Sequence, residues 1–149
     1  MDNWAAVEIA DALVTAINAV TWSPTLTAVR RYAPVRSLED EDCLGVTVLP
    51  FETANPSLID RRPIVREEIT VSINVQKEVT GPDCNDEIDP LTKLVQDIAD
   101  FCRNRKTEAI DDDVTVAFMA AEIAFDFLSL RDPVVFTGWT NLTYKIVRS

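Results

Sequence analysis

Between residues 65 and 79 the chain alternates apolar and polar positions almost without a break. Val65, Ile69, Val71, Ile73, Val75 and Val79 fall on one face of an extended strand, and Glu68, Thr70, Ser72, Asn74, Gln76 and Glu78 on the other. A period of two sets the aliphatic groups against a core and leaves the other face for water or for a polar protein surface. Residues 134–147 repeat the pattern, with Phe136, Gly138, Thr140, Leu142, Tyr144 and Ile146 on one side. Val135, Thr137, Trp139, Asn141, Thr143, Lys145 and Val147 form the other side, and because it includes Val135 and Trp139 this strand is expected to be covered on both faces.

Two stretches change to the helical period. Asp2 or Asn3 can cap a first helix reaching about residue 20, with Ile9, Leu13, Ala16, Ile17 and Val20 on one face and Glu8, Asp11, Thr15 and Asn18 on the other. Its alanines let it lie close against a sheet. A second helix is predicted from Asp89 and Pro90, followed by Leu91, Leu94, Val95, Ile98, Phe101 and Cys102 on one face. Residues 25–32 and 44–49 read as strands on either side of an acidic connector, 38–42. The proline-bearing segment 50–63 reads as a contact loop, and 81–89 as a polar turn. Periodicity leaves 114–127 open, because Ala, Met and Glu favour helix while Val114, Thr115, Val116 and Phe125 favour strand. The order of elements predicts one α+β domain over residues 1–149: a mainly antiparallel, mixed-order sheet with two amphipathic helices packed on one face.

Composition narrows the function without supplying one. The chain is 47% hydrophobic and 26% charged, ordinary for a globular domain with its own core. No secretion signal or membrane span is visible. Cys43, Cys84 and Cys102 are odd in number and widely spaced, so they are expected as reduced thiols, with Cys102 buried on a helix. A net charge of −11 argues against binding to a phosphate backbone, whose grip depends on Lys and Arg. An acidic wall would nonetheless suit a conduit through which nucleic acid passes without sticking.

The absence of histidine removes the commonest general base and zinc ligand. Gly45, Gly81 and Gly138 stand apart, so neither a P-loop nor a dinucleotide fingerprint can form. Three acidic clusters remain: Glu39, Asp40, Glu41 and Asp42; Asp83, Asp86, Glu87 and Asp89; and Asp111, Asp112 and Asp113. The middle one starts with EF-hand spacing but has Ile88 where that loop needs glycine and Leu94 where it needs a bidentate Glu. No metal, cofactor or catalytic residue is expected, and the clusters read first as solvated charge and next as a charged interface or lumen. Arg30 with Arg31, and Arg61 with Arg62, are basic pairs on an acidic chain, read first as surface arginines paired with nearby carboxylates and next as contacts to an acidic patch on an identical or different subunit. Tyr32 and Trp139, with Trp4, Trp22 and Phe51, serve either as core or as interface anchors. Asn141, Leu142 and Thr143 match a glycosylation sequon, which means nothing without a secretory route.

In the order and flavour of its elements the chain resembles the tail terminator, or tail completion, proteins of long-tailed bacteriophages. The resemblance runs through AAVEIADALVTAIN, RRYAP, DRRPIVREEITVSINVQKEV, DPLTKLVQDIADF and PVVFTGWTNLTYKIVRS, and so over nearly the whole chain. It implies that 116–127 is a strand and that Leu130, Arg131, Asp132 and Pro133 form the loop before the last one. It further implies a structural protein of the virion tail or neck, made in the host bacterial cytoplasm, whose copies form a hexameric ring. Tail tube protein and a neck or head-completion protein would be its partners, with DNA only passing through the lumen. A phage head-completion or neck connector protein is the nearest other role, and a cellular adaptor or small-ligand module a further one. An enzyme would rest on carboxylates alone.

Overall fold

The structure, a computed structural model, describes residues 5–22, 26–32, 44–57, 65–79, 85–104, 114–125 and 135–148. In chain order these give α1 (Ala5–Asn18), β1 (Ala28–Arg30), β2 (Gly45–Ser57), β3 (Val65–Glu78), α2 (Asn85–Asn104), β4 (Val114–Phe125) and β5 (Val135–Arg148). The strands form one mixed sheet in the order β1-β2-β3-β5-β4. β1 runs parallel to β2, and every other pairing is antiparallel. Since β3 and β4 both oppose β5, they run parallel to each other, with α2 as their crossover and β5 inserted between them. This is a split β-α-β unit, and the whole is the predicted α+β fold.

The alternation at 65–79 translates directly into burial. Ile69, Val71, Ile73 and Val75 are buried, and the ladder sets them opposite Tyr144, Leu142, Thr140 and Gly138 of β5. Val46 and Val48 of β2 face Val75 and Ile73 from the other side. One hydrophobic cluster joins this set to Ala6, Ile9, Ala10, Leu13 and Ile17 of α1 and to Leu91, Leu94, Val95, Ile98 and Cys102 of α2. Burying each aliphatic side chain contributes about 1.5–3 kcal/mol. Of the alternate set, Thr70, Asn74 and Gln76 are half-buried and Ser72 is buried. On β5 the second face does carry a buried Val135 and a half-buried Trp139.

Gly138 sits in this core because aromatic rings occupy the space above it. A Cβ there would lie 3.0 Å from Phe125 Cδ1 and 3.0 Å from Phe136 Cζ. The two rings pack 5.8 Å apart across the β4–β5 seam. Glycine in a strand usually weakens it, but here it admits an aromatic pair.

Four boundaries differ from the periodicity. The first helix ends at Asn18, not near residue 20; Ala19 still bonds Thr15, but Val20 closes a tighter turn onto Ile17. The strand expected at 25–32 is only Ala28–Arg30. Residues 50–57, read as the start of a loop, continue β2 through Pro50 and Pro56. β1 covers β2 only opposite Val46, Thr47 and Val48, so beyond them the missing proline N–H costs no ladder bond on that side. The register also shifts between Pro50 and Glu52 and between Ala54 and Ser57, and such bulges absorb residues that a regular ladder rejects. The second helix begins at Asn85, leaving Pro90 inside it. Asp86 and Glu87 lie in that first turn, where the positive end of the helix dipole favours acid.

The structure also explains the ambiguity at 114–127. Val114–Phe125 is a strand, β4, as the resemblance implied for 116–127, with a register shift between Phe118 and Ala120, and residues 126 and 127 lie outside the described residues. Phe118 opposes Tyr144, but after the extra residue Ala121, Ile123 and Phe125 oppose Leu142, Thr140 and Gly138. One inserted residue reverses the alternation midway, which is what hid the strand from a count of period two.

Candidate functional site

Of the residues singled out by sequence, Arg30 and Tyr32 come together, at the margin of the sheet beside α1. The chain reaches them through a short latch. The Asn18 side chain at the end of α1 donates from Nδ2 to the Ala28 carbonyl (3.0 Å) and accepts from the Ala28 N–H at Oδ1 (2.8 Å). A side-chain amide thus pairs with the backbone of β1 as a neighbouring strand would. Trp22 donates from Nε1 to the Ile17 carbonyl (2.8 Å) and meets Phe101 of α2 edge to face at 5.4 Å. On the other side, the Arg31 N–H donates to the Val48 carbonyl of β2 (3.0 Å).

Held this way, Arg30 reaches back to α1. Its Nε donates to Asp11 Oδ1 at 2.6 Å, its Nη1 donates to the Tyr32 hydroxyl at 3.2 Å, and its guanidinium carbon lies 5.4 Å from the Tyr32 ring centre. The hydrogen bond to Tyr32 raises the Arg30 pKa most, burial opposes it, and Asp11 adds to the rise; a guanidinium is charged at every physiological pH in any case. The Asp11 carboxylate is about half exposed, its side chain retaining 52% of its accessible surface. An ion pair in that setting adds only about 0–1 kcal/mol to stability. Its consequence is orientation: a fixed guanidinium beside a tyrosine that is 71% exposed, with Val20 and Val29 also exposed on this margin. Arginine and tyrosine presented together are the residue types that anchor protein interfaces.

The other predicted residues lie apart from this patch. Arg31 is exposed beside it. Trp139 is half-buried on β5, flanked in register by Asn74 and Ala124, with β2 and β3 between it and β1. Asp86 and Glu87 are exposed at the start of α2. Arg61, Arg62, Glu39, Asp40, Glu41, Asp42, Asp83, Asp111, Asp112 and Asp113 fall outside the described residues, as do Trp4, Cys43, Cys84 and the loop at Leu130 to Pro133.

Sequence reasoning missed the roles of Asp11 and Asn18. Both fall on the polar face of the first helix, but nothing local tells which strand that face borders. Along α2 the polar face carries short-range pairs, Lys93 with Asp97 at 3.1 Å and Arg103 with Asp100 at 2.9 Å, typical of a solvated helix.

Among the described residues no group of three or more His, Cys, Asp or Glu side chains could hold a metal ion, and no helix is long and apolar enough to cross a membrane. Cys102 is buried on α2, outside any disulfide. What the patch offers is therefore a directed cation, an exposed aromatic ring and a short strand margin. Compared with known proteins, the chain matches no family model and none of the curated sequences.

Proposed function

We propose that this chain is a structural assembly subunit, the tail terminator of a long-tailed bacteriophage, whose copies form a hexameric ring. The ring caps the tail tube and joins it to the neck. The observation that carries the reading is the order of elements over nearly the whole chain: helix, strands, helix and two closing strands, with the segments that bear the resemblance in α1, β3, α2 and β5.

The chemistry supports an assembly role. A ring needs a heterologous contact, in which one patch meets a different patch on the next copy. Arg30 and Tyr32 supply one half, and an acidic surface on a chain of charge −11 supplies the other. Surplus acid on the inner wall would let DNA slide through. No catalytic step, cofactor or metal belongs to this reading.

The test is solution mass by light scattering with negative-stain images, followed by the phenotype of particles lacking the protein. A ring of about six subunits with a central hole, and tails that overgrow in its absence, are the expected results. Full heads without tails would assign the chain to the neck instead. Arg30→Glu should lower the ring mass at moderate salt, and unchanged assembly would remove Arg30 from the contact.

A further inference from the structure

Among the described residues β4 is paired along one side only, with β5. Its other side presents a row of backbone donors and acceptors that a buried or associated state must satisfy. Edges of this kind are usually blunted by prolines, lysines or brevity. β4, VTVAFMAAEIAF, has twelve residues, with neither Pro nor Lys and one charge, Glu122. After the irregularity at Met119, residues 120–125 run regularly against β5. Ala121, Ile123 and Phe125 are half-buried at the margin of the core cluster, with apolar surface left at the sheet's border.

We propose that two copies of the chain pair along β4, antiparallel, about a two-fold axis beside Ile123, joining their sheets into one. The occupant follows from charge and geometry. Two chains of −11 repel wherever they approach through acidic surface, and β4 is a border with almost no charge. The opposite border is less suited to pairing: β1 has three residues, Asn18 occupies both backbone groups of Ala28, and β2 beyond Val48 carries Pro50 and Pro56. Antiparallel pairing of β4 with β4 uses the same edge of both copies and so closes as an isologous dimer.

The alternation limits the register as well. Residues directly opposite each other in an antiparallel pair share a face, so the axis must fall beside a residue and not between two. Centring on Glu122 would oppose two carboxylates. Centring on Ile123 sets Glu122 against Ala124, Ala121 against Phe125 and Ile123 against its counterpart, and it continues the apolar seam across both copies.

This contact is independent of the ring reading, and amide protection along β4 separates the two. Screening relieves the repulsion between chains of −11 and so strengthens a pairing that has almost no charge of its own. We would measure mass against concentration at about 0.05 and 0.5 M salt, with hydrogen exchange along β4. The expected result is a dimer favoured at the higher salt, with consecutive amides of 120–125 protected where a lone edge protects only alternate ones. Ala124→Lys should tighten the dimer about fivefold and Ala124→Glu loosen it about fivefold, through two symmetric pairings with Glu122. Shifts in the same direction for both variants, alternate β4 amides still exchanging at concentrations where the mass has doubled, or a monomer up to millimolar concentration would overturn the pairing. A ring with unprotected alternate β4 amides removes this pairing and leaves the terminator reading. A salt-favoured dimer with β4 protected and no ring does the reverse.

Discussion

The two edges of the sheet solve the same problem in opposite ways. At β1 the chain stops after three residues, a side-chain amide takes the place of the next strand, and Arg30, Tyr32 and Asp11 cover the margin. At β4 twelve nearly uncharged residues run beside the neighbouring strand from Arg148 to Gly138. One edge is shaped by polar side chains from a helix, the other by backbone and apolar surface. The difference teaches that an edge is described by what competes for its backbone groups as well as by its length. It also assigns separate tasks: the closed edge displays directed side chains, and the open edge offers hydrogen-bonding capacity.

The comparison can be broken most severely at the latch that shapes the closed edge. Trp22→Ala removes the edge-to-face contact with Phe101 and the bond to the Ile17 carbonyl. Urea unfolding should show a loss of about 2–4 kcal/mol. A smaller loss than about 1 kcal/mol would mean that the end of α1 is held by the Asn18 latch alone.

The open edge should yield next, through Gly138→Ala, which brings a methyl to 3.0 Å from Phe125 Cδ1 and Phe136 Cζ, so that the rings must give by a few tenths of an ångström. A destabilisation of about 1–3 kcal/mol is expected, with β4 amides exchanging faster while α1 is unaffected. Loss of protection spread evenly over the sheet would show that the two edges are not independent.

The smallest change in stability, about 1–2 kcal/mol, is expected from Asn18→Ala, which strands both backbone groups of Ala28. Its diagnostic readout is local: the Ala28 amide, held at 2.8 Å from Asn18 Oδ1, should lose its protection. If that amide stays protected, the edge is closed by something other than the side chain.

How much of this was legible in sequence depended on how local the information is. The faces of β3 and β5 were read residue by residue, because each alternating position carries its own burial: Ile69, Val71, Ile73, Leu142 and Tyr144 are all buried. The faces of both helices were legible for the same reason. β2 beyond Leu49 was not, since a proline looks like a strand breaker until it is known that β1 does not extend alongside it. In the candidate site, Arg30 and Tyr32 stood out as a basic residue and an aromatic, but Asp11 lies nineteen positions away and no pattern links it to Arg30.

The sequence by itself determined which residues are apolar at which period, hence two helices, the long strands and an α+β class without histidine chemistry. Tertiary structure alone decided strand order, the insertion of β5 between β3 and β4, the length of β1 and the identity of the two edges. The physical reason is that periodicity records whether each position faces a core, a property of the residue and its near neighbours. Pairing partners and edges are relations between segments far apart in the chain, and they are settled only when the backbone groups of those segments compete for one another.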